Sequence, residues 1–237
     1  MHTIEIDRLT KNYGSLTAVD DLSFTAEPGR VVGFLGPNGS GKTTTLQMLL
    51  GLARPDRGSA RINGQRYADL TEPMQAVGAL LDAGGLHPGR SGRTHLRIVA
   101  TAARIDPSRI DEVLHLVGME EAADRRVKTY SLGMRQRIGI ATALLGDPGI
   151  LVLDEPANGL DPAGMRWIRD LFRSFADAGR TVLISSHVLA EIAQTVDDLI
   201  IIGHGRLLAA GPIADMTSSA SLEDTYLRLT AGIQAVR

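Results

Sequence analysis

Val31-Val32-Gly33-Phe34-Leu35-Gly36-Pro37-Asn38-Gly39-Ser40-Gly41-Lys42-Thr43-Thr44-Thr45 is the stretch on which the fold turns. Its first five residues are apolar without alternation, as in a strand buried on both faces. Gly36–Thr43 then matches a phosphate-binding loop in full, and a helix is expected over Thr44–Leu50, closed by Gly51. Glycines let such a loop curl until successive N–H groups point at phosphate oxygens, and the helix N-terminus adds its dipole. On this reading Gly36, Asn38, Gly39, Ser40, Gly41, Lys42, Thr43 and Thr44 surround a nucleotide. The Lys42 ammonium reaches its β- and γ-phosphates, and the Thr43 hydroxyl ligates Mg²⁺. A glycine-rich turn with a stray lysine is the competing reading, but the 237 residues hold only three lysines, Lys11, Lys42 and Lys128.

Outward from this stretch, Ile150–Leu153, Thr181–Ile184 and Leu199–Ile202 are further continuous apolar runs. A helical pattern of Ile168, Leu171, Phe172 and Phe175 lies among them, framed by Asp161-Pro162 and Gly179. Strands alternating with helices imply an α/β core. The opening segment differs: Ile4, Ile6, Val19, Leu22, Phe24 and Ala26 follow the period of strands with one wet face, and Ala60-Arg61-Ile62 enters a tight turn at Asn63-Gly64. From about Thr94 to Leu145 the spacing is helical. The tail offers a helix start at Ser221, with Leu222, Thr225, Tyr226 and Leu229 on one face.

The expected fold class is therefore α/β: a P-loop NTPase core, with a mostly parallel sheet flanked by helices. An N-terminal antiparallel β subdomain and an inserted α-helical subdomain complete it. The expected division within one domain gives residues 1–30 and 57–75 to the antiparallel part, 31–56 and 146–212 to the core, 83–145 to the insert and 213–237 to a tail helix.

Asp154 and Glu155 follow the Ile150–Leu153 strand. Beside a phosphate loop, the first carboxylate can hold Mg²⁺ and the second can orient or deprotonate the attacking water. Without that loop the pair would read as a solvated turn. His187 closes another buried strand, where a histidine by itself reads as a packed residue. A net charge of −2 suggests no nucleic-acid partner, and the lack of cysteine excludes disulfides and thiolate chemistry. No apolar run approaches the roughly 18 residues of a membrane helix, so no direct membrane insertion is expected. The histidines at 2, 87, 95, 115 and 204 lack paired metal-ligand spacing, and Trp167 reads as packing.

Tyr130-Ser131-Leu132-Gly133-Met134-Arg135-Gln136 resembles the signature sequence of the ATP-binding cassette (ABC) family, usually Leu-Ser-Gly-Gly-Gln. Tyr13 looks like that family's adenine-stacking aromatic, Gly159-Leu160-Asp161 like its D-loop and His187 like its switch histidine. The resemblance runs from about residue 3 to about residue 212. Short segments (Val77–Asp82, Leu86-His87-Pro88, Ser91-Gly92 and Leu222–Leu227) look like the branch of bacitracin- and daunorubicin-type resistance exporters.

The resemblance implies an ATPase that forms a head-to-tail homodimer around two Mg-ATP. Ser131, Gly133 and Asp161 would join the nucleotide site, and Ser131 and Gly133 would meet the γ-phosphate held by the opposite copy. It also implies a separately encoded transmembrane permease, a cytoplasmic location peripheral to the membrane, and export of a drug, antibiotic or peptide. The signature departs from the norm by lacking its second glycine and its glutamine. Asp82 stands where the family carries glutamine, or in this branch glutamate, and reads either as a Mg²⁺ or water contact or as a surface aspartate. Tyr13 reads either as the adenine platform or as a buried strand tyrosine. Two other functions stay open. A soluble ATPase of the family without a membrane partner has the single phosphate loop and the lack of heptads against it. An ATP sensor that does not hydrolyse has Lys42, Asp154, Glu155 and His187 against it.

Overall fold

The computed structural model describes residues 2–81, 85–218 and 220–231. Along the chain run β1 (Ile4–Tyr13), β2 (Leu16–Ala26), β3 (Val31–Leu35), α1 (Lys42–Leu49), β4 (Arg57–Ile62), α2 (Pro73–Ala76) and β5 (Val77–Leu80). These are followed by α3 (Gly92–Ala103), α4 (Arg109–Leu116), α5 (Leu132–Leu144), β6 (Ile150–Asp154) and α6 (Pro162–Asp177). The last elements are β7 (Thr181–Ser186), α7 (Leu189–Ala193), β8 (Asp198–Gly203), β9 (Arg206–Pro212), α8 (Ile213–Met216) and α9 (Leu222–Thr230). The chain divides into two compact units, Met1–Thr71 with Phe172–Arg237, and Glu72–Leu171.

In the first unit β1 is the centre of an antiparallel sheet of order β2-β1-β4. Its apolar alternation slips twice, between Ile6 and Leu9 and between Val19 and Leu22, and both slips are bulges. Arg8 (φ 45°) and Asp21 (φ 53°) take left-handed backbone there, their amides donating to Ser23 Oγ and Thr10 Oγ1. The extra residue returns Leu9 and Leu22 to the buried face. Asn63 and Gly64, both at positive φ, make the expected two-residue turn, closed by paired bonds between Ile62 and Gln65.

The remaining strands of this unit lie in the order β7-β3-β8-β9. β3 is parallel to both neighbours, with Val31 level with Val182 and Val32 with Asp198, and β9 runs antiparallel to β8. Every residue of β3 and β7 is buried, which is why their sequences do not alternate. The rings of Phe24 and Phe34, 5.4 Å apart, join the two sheets of the unit. Ser221 caps α9 by accepting from the Asp224 amide, and Leu222 and Thr225 are buried beneath it.

The second unit pairs β5 with β6 in parallel, Val77 level with Ile150. Ser91 and Ser131 cap α3 and α5 by accepting from the amides of Thr94 and Met134. The Tyr130 hydroxyl donates to the Ala122 carbonyl (2.7 Å) and accepts from the Gly92 amide (3.3 Å), tying the starts of those helices together. Trp167 does pack, but on polar ground: its indole donates to the Leu116 carbonyl (2.9 Å) and the Arg137 guanidinium lies 4.3 Å over the ring. No helix among the described residues is long and apolar enough to cross a membrane.

Two ion pairs fasten the start of β8. Arg30 forks onto Asp198, and Arg173 bonds Asp197 (2.6 Å), which also accepts from the Val31 amide. Burial alone would raise the Asp197 pKa. The hydrogen bonds from Arg173 and Val31 and the charges of Arg173 and Arg30 outweigh it, so this carboxyl ionises below its ordinary value. A depressed folded pKa stabilises above the unfolded value, about 3.9, and that contribution is lost as pH falls through the folded value. Asp197→Asn should lower the urea midpoint at pH 7 and flatten its decline below about pH 4, measured as unfolding midpoints across pH.

Candidate functional site

The phosphate loop is held by its own backbone and by the strands beside it. β3 hands the chain to Gly36 with no exposed residue, and the Ser40 amide returns to the Pro37 carbonyl at 3.1 Å. Lys42 is only 7% exposed, and its ammonium donates to the carbonyls of Gly36 (2.6 Å) and Pro37 (3.3 Å). Helix α1 starts two residues earlier than the sequence suggested, at Lys42, with Gly41 as its N-cap at φ 102°. A Cβ on Gly41 would sit 2.4 Å from the Ala18 carbonyl oxygen, so only glycine can pass β2 here. Gly39, at φ 78°, has open space around it. The outer side of the turn is pinned by the Gly205 amide donating to the Ser40 carbonyl (3.0 Å).

Two features fit a nucleotide's phosphates. Among the described residues no side chain caps the start of α1, the helix end that favours an anion. The Ser40 hydroxyl is buried and lacks a hydrogen-bond partner among the described residues, a cost that a phosphate oxygen would relieve. Asn38, Gly39 and Thr43 are exposed beside it, with Thr44 half-buried.

Tyr13 is 49% exposed at the end of β1, with the Lys11 ammonium 5.3 Å from its ring centre, so it is not a buried strand tyrosine. His187 is exposed just after β7, where Ser186 Oγ accepts from the Val188 amide. Asp82 lies outside the described residues.

The other candidates cluster in the second unit. β6 ends at Asp154, and Glu155 takes left-handed backbone, φ 50°, which non-glycine residues avoid. Its carbonyl accepts from the Asn158 amide (3.2 Å) and from Gln136 Nε2 (3.3 Å). Asp161 caps α6, its Oδ1 accepting from the Gly164 amide (2.8 Å). Ser131 is exposed at the start of α5, and the first turn of that helix lies on Gly159. A Cβ on Gly133 would meet the Gly159 oxygen at 2.7 Å, and a Cβ on Gly159 would meet Leu132 at 2.5 Å. The structure thus gathers Ser131, Gly133, Asp154, Glu155 and Asp161 in one unit, and Tyr13, residues 36–44 and His187 in the other.

Residues 19–158 match the family described as ABC transporter. The chain belongs to that family. It is an ATP-binding cassette and an ATPase. Among its relatives is an uncharacterised ABC transporter ATP-binding protein of Bacillus subtilis, YhcH, 42% identical over 94% of this chain and 73% of the relative. The bacitracin transport ATP-binding protein BcrA of Bacillus licheniformis is 43% identical over 88% of this chain and 69% of the relative. A solved ATP-binding subunit of an ABC transporter superposes with a TM-score of 0.86 at 29% identity, covering 96% of this chain and 99% of that one.

Sequence reading passed over Gln136, whose side chain reaches the Glu155 carbonyl. It is buried on the face of α5 shared by Gly139, Ile140, Ala143 and Leu144. An amide on an apolar stripe at helical spacing was the available signal. The loop geometry separates two glycines. Gly41→Ala should weaken ATP binding at least tenfold, because backbone must move. Gly39→Ala should cost only the left-handed penalty of about 1–2 kcal/mol. Titration with a fluorescent ATP analogue, alongside thermal melts, measures both.

Proposed function

We propose that this cassette works as a pair of identical copies docked on a separately encoded transmembrane permease, at the cytoplasmic face of the membrane. ATP turnover there would drive export of a drug, antibiotic or peptide. The observation that carries the reading is the start of α5: Ser131 is exposed and Leu132 is 56% exposed, while Gly159 braces the turn from behind. An exposed, capped helix start held in one geometry is suited to a phosphate brought by a second copy. The likeness to the bacitracin transport protein supports transport of an antibiotic or peptide cargo.

In this reading Gly36–Thr44 and the N-terminus of α1 wrap the phosphates, Lys42 neutralises the β- and γ-oxygens, and Tyr13 stacks on adenine with the face that Lys11 does not cover. Thr43, Asp154 and Asp82 would hold Mg²⁺, as hydroxyl and carboxylate oxygens suit that ion. Bound there, Mg²⁺ would supply positive charge against that developing on the transferred phosphoryl group. Glu155 orients and deprotonates the attacking water, and His187 contacts the γ-phosphate. Ser131, Gly133 and Asp161 complete the site of the opposite copy. ATP moves the permease because it binds the closed pair better than the open one, and hydrolysis removes that preference.

Glu155→Gln should lower phosphate release by at least about 100-fold while ATP still binds. The variant should then elute as a stable dimer in ATP, and turnover near the wild-type rate would remove Glu155 from the base role. The membrane half of the reading is tested by purifying the tagged chain from detergent-solubilised native membranes. A stoichiometric multi-span protein should accompany it. A chain found alone in the soluble fraction would favour an ATPase without a permease.

A further inference from the structure

Glu155 is the residue whose carboxylate the proposed mechanism relies on most, and its backbone is held in a conformation that L-residues avoid, φ 50°. A residue in that region persists only where its surroundings fix it. The Asn158 amide, from the same turn, supplies one bond to the Glu155 carbonyl. A second comes from the side chain of Gln136, 19 residues away on the signature helix α5.

Gln136 is 3% exposed. A glutamine on a helix face otherwise made of glycine, isoleucine, alanine and leucine gives up hydration for this bond, so its placement needs a reason beyond packing. Two donors on one carbonyl fix the tilt of the peptide plane that follows Glu155, and this plane together with the left-handed φ sets where the Cα–Cβ bond points. The turn of α5 that carries Gln136 is itself seated on Gly159 through Gly133 and Leu132. The donor therefore comes from a helix that cannot slide freely along the 155–161 segment.

We infer that Gln136 is a positioning residue for hydrolysis: its side-chain amide holds the Glu155 peptide so that the carboxylate faces the attacking water. The inference rests on the reading of Glu155 as the base. Gln136 touches neither nucleotide nor water in this role, so removing its donor should lower kcat and leave ATP binding alone. Misplacing a reacting group by about 1 Å costs on the order of 100-fold in rate.

Gln136→Met keeps length and volume and removes the donor. It should reduce kcat roughly 10- to 100-fold with KM for ATP within about threefold of wild type. Gln136→Glu supplies the discriminating readout. Ionised, it sets an acceptor against the Glu155 carbonyl. Protonated, it donates to that carbonyl again, and burial raises its pKa toward the working range. Its rate relative to wild type at the same pH should rise as pH falls from about 8 to 6, whereas Gln136→Met should show a flat ratio.

A Gln136→Met enzyme with near-wild-type kcat overturns the inference. So do parallel losses in kcat, KM and melting temperature with no recovery of Gln136→Glu at low pH, which would make Gln136 a packing residue only. Glu155→Gln, assayed beside them, separates the two ideas. If it still turns over, the base assignment falls and takes this inference with it. If it is inactive while Gln136→Met is normal, the positioning role alone falls.

Discussion

A buried positive charge organises the phosphate loop of the first unit. The Lys42 ammonium, almost out of reach of water, is held by the carbonyls of Gly36 and Pro37, the residues that begin the loop it closes. Burying a cation without partners is costly, so the carbonyls must converge on it, and the loop has to wind round the lysine. That winding sets what lies on either side. β3 must end flush at Gly36, α1 must begin at Lys42, and Gly41 must pass β2 with no side chain. Parallel neighbours on both sides of β3, and the pairs Arg30–Asp198 and Arg173–Asp197 at the start of β8, hold the strand that presents the loop.

The second unit solves a different problem, the precise placement of a few groups on segments with little regular structure. Between β6 and α6 the chain has only a short turn. Its order comes from Gln136, the Asn158 amide, the Gly133–Gly159 contact and the Asp161 cap. Tyr130, Arg137 and Trp167 brace the helices from which those contacts are made. In both units, backbone carbonyls held by buried side-chain donors do the orienting.

Most of the fold was legible because burial leaves a simple trace. The unbroken apolar runs of β3 and β7 announced parallel strands, and Asn63-Gly64 announced its turn. Asp161-Pro162 and Ser221 announced helix starts through the groups they cap. The bulges at Arg8 and Asp21 were harder to foresee, for a slip in alternation does not say whether a strand has bent or ended. The phosphate loop was readable because its chemistry fixes residue type at consecutive positions. Gln136 was not, because its role depends on a carbonyl 19 residues away, and carbonyl positions leave no mark in a sequence. Tyr13 had two readings until its exposure was known, since strand periodicity does not say which strands cover an end residue.

The seating of Gly133 against Gly159 bears on which substitutions this turn can accept. Each glycine is bare because the other's neighbourhood occupies the space, Gly133 facing the oxygen of Gly159 and Gly159 lying under Leu132. No compensating change elsewhere makes room at Gly133, since the obstacle is main chain. The neighbouring letters answer to looser constraints: Leu132 is largely in solvent, and Met134 and Arg135 are only partly covered. A side chain is therefore harder to add at Gly133 than at the positions around it. The Ser-Leu-Gly-Met-Arg of this chain keeps glycine at the one position whose obstacle is main chain.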